Sequence, residues 1–341
     1  MPHLLKDPDA APVRAGRALG ADEPDSQNWP HPRFLSYNVC GGVCAMYQGS
    51  KTAWRDNMIH MMDYWDADLL MTQEMCYGQW TLLRDELGDR SSGGPAYDSV
   101  WGAALAENPG CAKWGADTRY GLATFSKGRA GTIDQSTRSV TILPNPAGGE
   151  QRILLCAKTT VAGRGVRACN THIDYRGDNP RAQVAQVAAI GRQYAAQGDP
   201  VVLAGDFNMF PKDVRMDPLY DHGGGTGIFQ EVDENDKSHF SGTDCPQSAD
   251  RCRSGEETAE PVCSPRADGR GKIDYIFLSY YWFTTVRGAT LRLAHRACPT
   301  TICCGGLRHG SGKGHRQEFQ PQARTDRLNR WPSERGMRLG E

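Results

Sequence analysis

The sequence predicts an α+β fold of packed sheets with helices on the outside, and three observations point there. Short apolar, strand-like runs recur between residues 34 and 279. Helical segments lie between some of these runs. The two kinds of segment do not alternate regularly, as a doubly wound parallel sheet would require. The chain has 341 residues, 39% of them hydrophobic, which is enough for a sizeable core. No run of about eighteen apolar residues occurs, so no transmembrane helix is expected.

Each element has a local reason. Residues 34–39 form an apolar run closed by Gly41-Gly42, read as a strand. Residues 54–65 place Trp54, Met58, Met61, Met62 and Trp65 at helical spacing, a stripe that suits core packing. Residues 69–74 read as a buried strand ending in Glu74, and 80–87 as a second amphipathic helix. Residues 121–126 form a third strand. Residues 152–158 and 166–170 make a hairpin around Ala162-Gly163-Arg164-Gly165. Residues 181–196 read as a helix, and 201–205 and 272–279 as buried strands. The stretches 91–118 and 223–270 read as loops, the second because it is rich in Gly, Asp and Ser. No internal repeat or dividing linker is evident.

Net charge is -1, which favours neither a nucleic-acid surface nor its opposite. A local basic rim or a bound cation could still meet a phosphate. The last 44 residues, 298–341, carry eight Lys/Arg and four Asp/Glu, a net of +4, which leaves -5 for the remainder. That tail has few large apolar residues after Leu307 and reads as disordered and non-native. Residues 1–32 are rich in Pro, Asp and Ala and also read as disordered, with no apolar signal-peptide core. The folded domain is therefore assigned to residues 33–297.

Of the twelve cysteines, none forms a Cys-x-x-Cys pair. Cys156 and Cys169 face each other across the predicted hairpin, an arrangement that allows a cross-strand disulfide. Cys40 with Cys44, and Cys245 with Cys252, are placed to close small loops. This usage suggests an oxidising compartment and a secreted protein. The alternative is a cytosolic enzyme with buried free thiols.

Polar residues gather at strand ends: Asn38, Glu74, His172, Asp206 with Asn208, and Asp274. A carboxylate inside an apolar strand is costly unless it is paired or bound to a cation. Asp206 and Asp274 therefore need partners, and the set suggests one polar rim at the mouth of packed sheets. Asp117 is a candidate partner for His172. Asp174 and Asp233 read as surface or turn residues.

Five words carry a resemblance. Ser36-Tyr37-Asn38-Val39, Thr72-Gln73-Glu74, Thr171-His172-Ile173-Asp174, Gly205-Asp206-Phe207-Asn208 and Lys272-Ile273-Asp274-Tyr275-Ile276 occur in order. Each is weak alone, but together, in this order and spacing, the sequence resembles the endonuclease/exonuclease/phosphatase superfamily, which includes DNase I. The resemblance implies a four-layer αββα sandwich with the active site at one end of the sheets. It implies a divalent-metal-dependent phosphodiester hydrolase, with nucleic acid as first-choice substrate and a monomeric state. Glu74 looks like the ligand of Mg²⁺ (Mn²⁺ or Ca²⁺ as alternatives), with Asn38 close by. Asp206 looks like the residue that orients or deprotonates the attacking water, and Asn208 like the holder of a phosphate oxygen. His172 looks like the histidine that contacts the phosphate or protonates the leaving group. Asp274 looks like the buried aspartate that tunes the site. A sphingomyelinase-like or phosphoinositide-like lipid phosphodiesterase is the alternative within this chemistry. A non-catalytic binding protein on the same fold is the alternative outside it.

The family pattern calls for one more word after Asp274, an Asp-His dyad followed by a short strand. No Asp-His pair follows Asp274 here, and His295, His309 and His315 lack a preceding Asp. Written in GC-rich codons and read two bases on, residues 297–305 become Val-Pro-Asp-His-His-Leu-Leu-Arg. A shift of reading frame between about Val286 and Ala297 accounts for the missing dyad, the basic charge and the three cysteines of the tail together.

Overall fold

The computed structural model describes residues 29, 31–90, 93–240, 244–259, 271–291 and 300–307. The chain divides into 1–308 and 309–341, and all described residues lie in the first unit. Twelve strands and three α-helices are described there: β1 Arg33–Asn38, α1 Lys51–Tyr64, β2 Leu69–Cys76, α2 Tyr77–Asp89, β3 Tyr97–Leu105, β4 Tyr120–Lys127, β5 Ile133–Ile142, β6 Ile153–Val161, β7 Arg164–His172, α3 Asn179–Ala196, β8 Val201–Asp206, β9 Phe229–Glu231, β10 Asp274–Ser279, β11 Phe283–Leu291 and β12 Thr300–Leu307.

The strands form two six-stranded sheets, ordered β11-β12-β1-β2-β4-β3 and β5-β6-β7-β8-β10-β9. Strand alternation sorts side chains onto opposite faces. On the first sheet Phe34, Leu69 and Met71 face inward, where they meet Ala168, Val202, Ala204, Ile276 and Leu278 of the second. Leu35, Tyr37 and Leu70 point the other way, under Trp54, Met58, Met61 and Met62 of α1 and Leu83 and Leu87 of α2. Val184, Val187 and Ala188 of α3 cover the outer face of the second sheet at Leu154, Cys156, Cys169, Leu203 and Phe277. The layers are helix, sheet, sheet, helix, the expected αββα sandwich.

The sheets are also joined by polar contacts just behind the site. Gln73 Nε2 donates to Asn170 Oδ1 at 2.8 Å, and Asn170 Nδ2 donates to the carbonyls of Thr72 and Ala123 at 2.9 and 2.8 Å. Both side chains are fully buried. Buried amides hold their place only when bonded in this way. Gln73 precedes Glu74, and Asn170 lies two residues before His172 on the same face of β7, so this pair sets the two site-bearing strands in register.

The sequence reading is corrected at both ends. Ordered packing begins before residue 33: Trp29 is buried and its carbonyl accepts from Arg33 Nη2 at 2.7 Å. The expectation for residues 1–28 falls outside the described residues. At the other end the sheet's strand is present, not missing. Thr300–Leu307 is β12, antiparallel to β1 and to β11, with Ser36 opposite Thr301 and Ala289 opposite Ile302. Its β-branched start suits a strand. Without it, β1 and β11 would each present an unpaired edge. The expectation of disorder beyond residue 307 lies outside the described residues.

Four disulfides are present among the described residues: Cys40–Cys44, Cys76–Cys111, Cys156–Cys169 and Cys245–Cys252. Three match the sequence pairings. Cys76–Cys111 was not foreseen, because Cys111 lies in a stretch read as loop. After folding under oxidising conditions, a non-reduced digest is expected to yield the Cys156–Cys169 cross-linked peptide in mass spectra. Recovery of both as free thiols would remove the main support for an extracellular location.

Candidate active site

β1, β2, β7, β8 and β10 bring five of the six sequence-named residues to one end of the sandwich, and the turn after β8 adds Asn208. Glu74 sits at a β-bulge, where the β2–β4 register shifts between Thr72 and Met75, and its φ is +55°. A non-glycine residue there costs about 1 kcal/mol or more. Bulges re-aim side chains, and this one turns Glu74 toward the site. Asn208 is also left-handed, at φ +53°, a conformation that Asn accepts more readily. Gly205 precedes Asp206 because a Cβ there would stand 2.0 Å from the Thr171 carbonyl oxygen.

Asn38 Nδ2 donates to Glu74 Oε1 at 2.9 Å and to Asp206 Oδ2 at 3.2 Å. Its Oδ1 accepts from Cys40 N at 3.0 Å. Asn38 therefore bridges the two carboxylates, and direct coordination of a cation would need its Oδ1 to leave Cys40. His172 Nε2 lies 3.6 Å from Asp206 Oδ2, and Nδ1 lies 4.0 Å from Glu74 Oε1. Asn208 N donates to Asp206 Oδ1 at 2.9 Å. Asp274 stands opposite Asp206 across the β8–β10 ladder, and its backbone N donates to Thr258 Oγ1 at 2.9 Å.

Electrostatically the site is short of positive charge. Burial, followed by the neighbouring Glu74 charge, pushes Asp206 up to about 6 against hydrogen bonds from Asn38 and Asn208. Burial and then the Asp206 charge push Asp274 well up. Two of these three carboxylates are buried and hold protons more tightly than usual, and carboxylate oxygens are the donors a hard divalent cation takes. Glu74 could hold one, with Asn38 bridging it to Asp206.

A sign follows for metal-free protein. Asp206 binds its proton more tightly when folded, so the stability it contributes is present below 3.8 and is lost as pH rises to about 6. In EDTA, the unfolding free energy of the Asp206→Asn variant should gain on that of wild type as pH rises from about 4 to about 7, by up to about 3 kcal/mol. Parallel curves would contradict the shift.

Several residues were missed or misread from sequence. Arg152, just before β6, contacts His172 Nδ1 at 2.8 Å and Glu150 Oε1 at 2.7 Å. The only sequence signal for it was a charged residue at a strand start. Tyr120 is buried beside Glu74, and burial followed by that charge raises its hydroxyl. Asp117 does not reach His172 in this structure; it pairs with Arg119 at 2.6 Å. Asp174 and Asp233 are buried, not surface residues. Asp174 accepts from Tyr175 N, Arg176 N and Asn179 Nδ2. Asp233 lies 3.6 Å from the buried Lys272 amine, which also meets Glu231 at 3.3 Å. One other group of possible cation ligands occurs among the described residues, Asp221, His222 and Glu234. Arg251 spans it at 3.1 Å from Asp221 and 3.2 Å from Glu234, so a side-chain cation already pairs those charges.

A sandwich with a carboxylate-rich, histidine-bearing end of this geometry defines a class, the hydrolases of phosphate esters. The profile of the endonuclease/exonuclease/phosphatase family matches residues 35–333, and the chain belongs to that family, whose members are generally divalent-metal dependent. No curated protein sequence matches the chain. Similar solved structures include the human Nocturnin catalytic domain with bound sulfate, at TM-score 0.55 and 16% identity over 81% of this chain and 94% of that one. A truncated Caenorhabditis elegans TDP2 gives TM-score 0.53 and 16% identity over 80% and 96%. A Bacteroides thetaiotaomicron mannosyl-6-phosphatase gives TM-score 0.50 and 17% identity over 82% and 100%. Likeness at these identities shows the fold. Among the described residues no helix is long and apolar enough to cross a membrane.

Proposed function

We propose that this chain is built for metal-dependent hydrolysis of a phosphodiester, with nucleic acid as the first substrate class and secretion as its setting. The observation that carries the reading is the convergence of Glu74, Asn38, Asp206 and His172 within hydrogen-bonding or ion-pairing reach at one end of the sheets. Four disulfides support an oxidising location. When bound, Mg²⁺ would polarise the phosphate and stabilise the leaving oxygen. Glu74 would hold it, with Asp206 facing it across the Asn38 amide. Asp206 would orient the attacking water, and its two oxygens are already fixed by Asn38 and by Asn208 N. Asn208 and His172 would hold the phosphate oxygens. Asp274, opposite Asp206 on the neighbouring strand and itself pushed up by burial and then by the Asp206 charge, would tune the site from behind.

The reading also proposes that the polypeptide as written lacks its general base. β12 runs antiparallel to β1 with Thr301 opposite Ser36, so it enters the sheet at the end of β1 that carries Asn38. That is where the family resemblance calls for Asp-His, and the strand begins here with Thr300-Thr301. A shifted reading frame would supply the dyad at this place.

Specificity among phosphoesters resides in the surrounding loops. The test is a substrate panel with and without Mg²⁺: plasmid DNA, RNA, sphingomyelin, a sugar phosphate and a bis-aryl phosphate. The sugar phosphate belongs there because one structural likeness is a mannosyl-6-phosphatase. Cleavage of DNA or RNA is expected from the frame-restored chain. Cleavage of sphingomyelin alone would move the assignment to a lipid phosphodiesterase.

A further inference from the structure

We propose that Tyr175 and Arg176, on the turn that follows β7, form a substrate subsite beside the candidate active site: the Tyr175 ring stacks on the base next to the scissile phosphate, and the Arg176 guanidinium meets the phosphate beyond it. The proposal rests on the reading of nucleic acid as the substrate and names the part of it that this rim holds.

The course of the chain puts the pair there. β7 runs toward the site and ends at His172, so the residues that follow form part of its rim. Tyr175 comes three residues after His172, at most about 11 Å along the chain. A stacked strand advances about 3.4 Å per nucleotide, so that reach covers the nucleotides flanking a phosphate at His172. Tyr175 is 45% exposed despite its size, and Arg176 is exposed beside it. Arg176 Nη2 lies 3.5 Å from the Tyr175 hydroxyl.

A buried polar hub fixes the turn from below. Asp174, Asn179 and Gln183 are all buried. Asp174 Oδ1 accepts from the backbone N of Tyr175 at 2.7 Å and of Arg176 at 3.2 Å, and its Oδ2 accepts from Asn179 Nδ2 at 2.8 Å. Gln183 Oε1 accepts from Asp174 N at 2.8 Å. Asn179 also reaches the loop between β5 and β6. Its Nδ2 donates to Asn145 Oδ1 at 2.7 Å and to the Gly148 carbonyl at 3.0 Å, and its Oδ1 accepts from Ala147 N at 2.8 Å. The same loop continues through Glu150 to Arg152, which contacts His172. At Gly149, φ +106°, a Cβ would stand 2.1 Å from Arg176 Nη1, so the guanidinium rests on bare backbone. Satisfied buried networks rigidify what they join. Here they join the two rim loops, and the residues those loops present are Tyr175 and Arg176.

A ring and a cation held side by side match the alternation of base and phosphate along a nucleic-acid strand. Every base has a π-face, so stacking tolerates any sequence. A guanidinium offers phosphate a fork of donors. Fixing both before substrate arrives lowers the ordering cost of binding.

The test is fluorescence anisotropy of a labelled single-stranded DNA of about twelve nucleotides, and of an abasic strand of the same length. Both are titrated with the full chain as written in Mg²⁺, with cleavage checked on a gel. Wild type should prefer the strand that carries bases. Tyr175→Ala should weaken binding of that strand about fivefold to a hundredfold and leave the abasic strand bound as in wild type. Tyr175→Phe, which keeps the ring, should retain the preference. Arg176→Gln should weaken both strands and lower the log–log salt slope by about 0.7, the share of one phosphate on a single strand. No binding by wild type, a base preference that survives Tyr175→Ala, or an unchanged salt slope in Arg176→Gln would overturn the subsite. If the expected pattern appears and the frame-restored chain cleaves neither DNA nor RNA, the subsite stands and the proposed function falls. If the frame-restored chain cleaves DNA and both Tyr175→Ala and Arg176→Gln keep the wild-type KM, the function stands and the subsite falls.

Discussion

Glu74→Gln is expected to abolish most phosphoester hydrolysis in the frame-restored chain, by at least about a hundredfold, with partial rescue by excess Mg²⁺. The substitution keeps the length of the side chain and an oxygen that can still accept from Asn38 Nδ2. What it removes is the negative charge. A bound cation supplies several kcal/mol of charge stabilisation in such reactions, and each 1.4 kcal/mol is about a factor of ten. Partial rescue follows because mass action offsets a weakened site. A second readout separates chemistry from collapse. In EDTA the variant should be as stable as wild type or more so, since one of three converging carboxylates is gone and the charge that pushes up Asp206 goes with it. A variant that is inactive because it unfolds would melt earlier.

The second large effect concerns the reading frame. The chain as written is expected to be inactive or nearly so, and a version carrying Val-Pro-Asp-His-His-Leu-Leu-Arg from Cys298 is expected to be active. Hydrolysis needs a water aligned opposite the leaving oxygen and a base to take its proton. Asp206 can orient that water, but the family resemblance gives the acceptance of its proton to the histidine of the absent Asp-His dyad. General-base assistance is worth about a hundredfold to ten-thousandfold, and that is the expected difference between the two versions. A strand at Thr300–Leu307 refines this expectation. β12 completes the sheet in this chain, so the loss in this chain should fall on activity more than on folding. Equal activity in both versions would count against the frameshift. Direct sequencing of the gene across residues 286–306 would bear on the same point independently.

Much of the fold was legible because its signals are local. The Met/Trp stripe of α1 and the apolar runs of β2, β8 and β10 each declare one element, and their order and spacing declared the sandwich. Five strands were not foreseen: β3, β5, β9, β11 and β12. β5 shows why. Nine of its ten residues are exposed or half-buried at the edge of the sheet, so no buried alternation marks it in the sequence. β3 carries Gly102 and Ser99 among its apolar residues and lay in a stretch read as loop. β12 was missed for a different reason, since its composition departs from the rest of the domain and only pairing with β1 and β11 reveals it.

The site was legible where polar residues end apolar strands. Asn38, Glu74, His172, Asp206 and Asp274 share that feature, and the sheets bring them together as the resemblance implied. Arg152 carried no comparable mark. An arginine at a strand start is ordinary in sequence, and its meaning comes only from the 2.8 Å contact across the hairpin to His172. Asp174 and Asp233 misled for the converse reason: an Asp near a turn is usually exposed, and only tertiary contacts with Asn179 and with Lys272 show that these two are buried. Gln73 and Asn170, which join the two sheets behind the site, were hidden inside motif words whose neighbours drew attention instead.

The most direct measurement is hydrolysis of a bis-aryl phosphate by the frame-restored chain, before EDTA, in EDTA, and after Mg²⁺ is returned in excess. Activity that disappears in EDTA, returns fully with Mg²⁺, and returns only in small part in Glu74→Gln at the same Mg²⁺ concentration is the expected result. Full activity in EDTA would contradict the assignment of a cation to Glu74 and, with it, the proposed chemistry of this site.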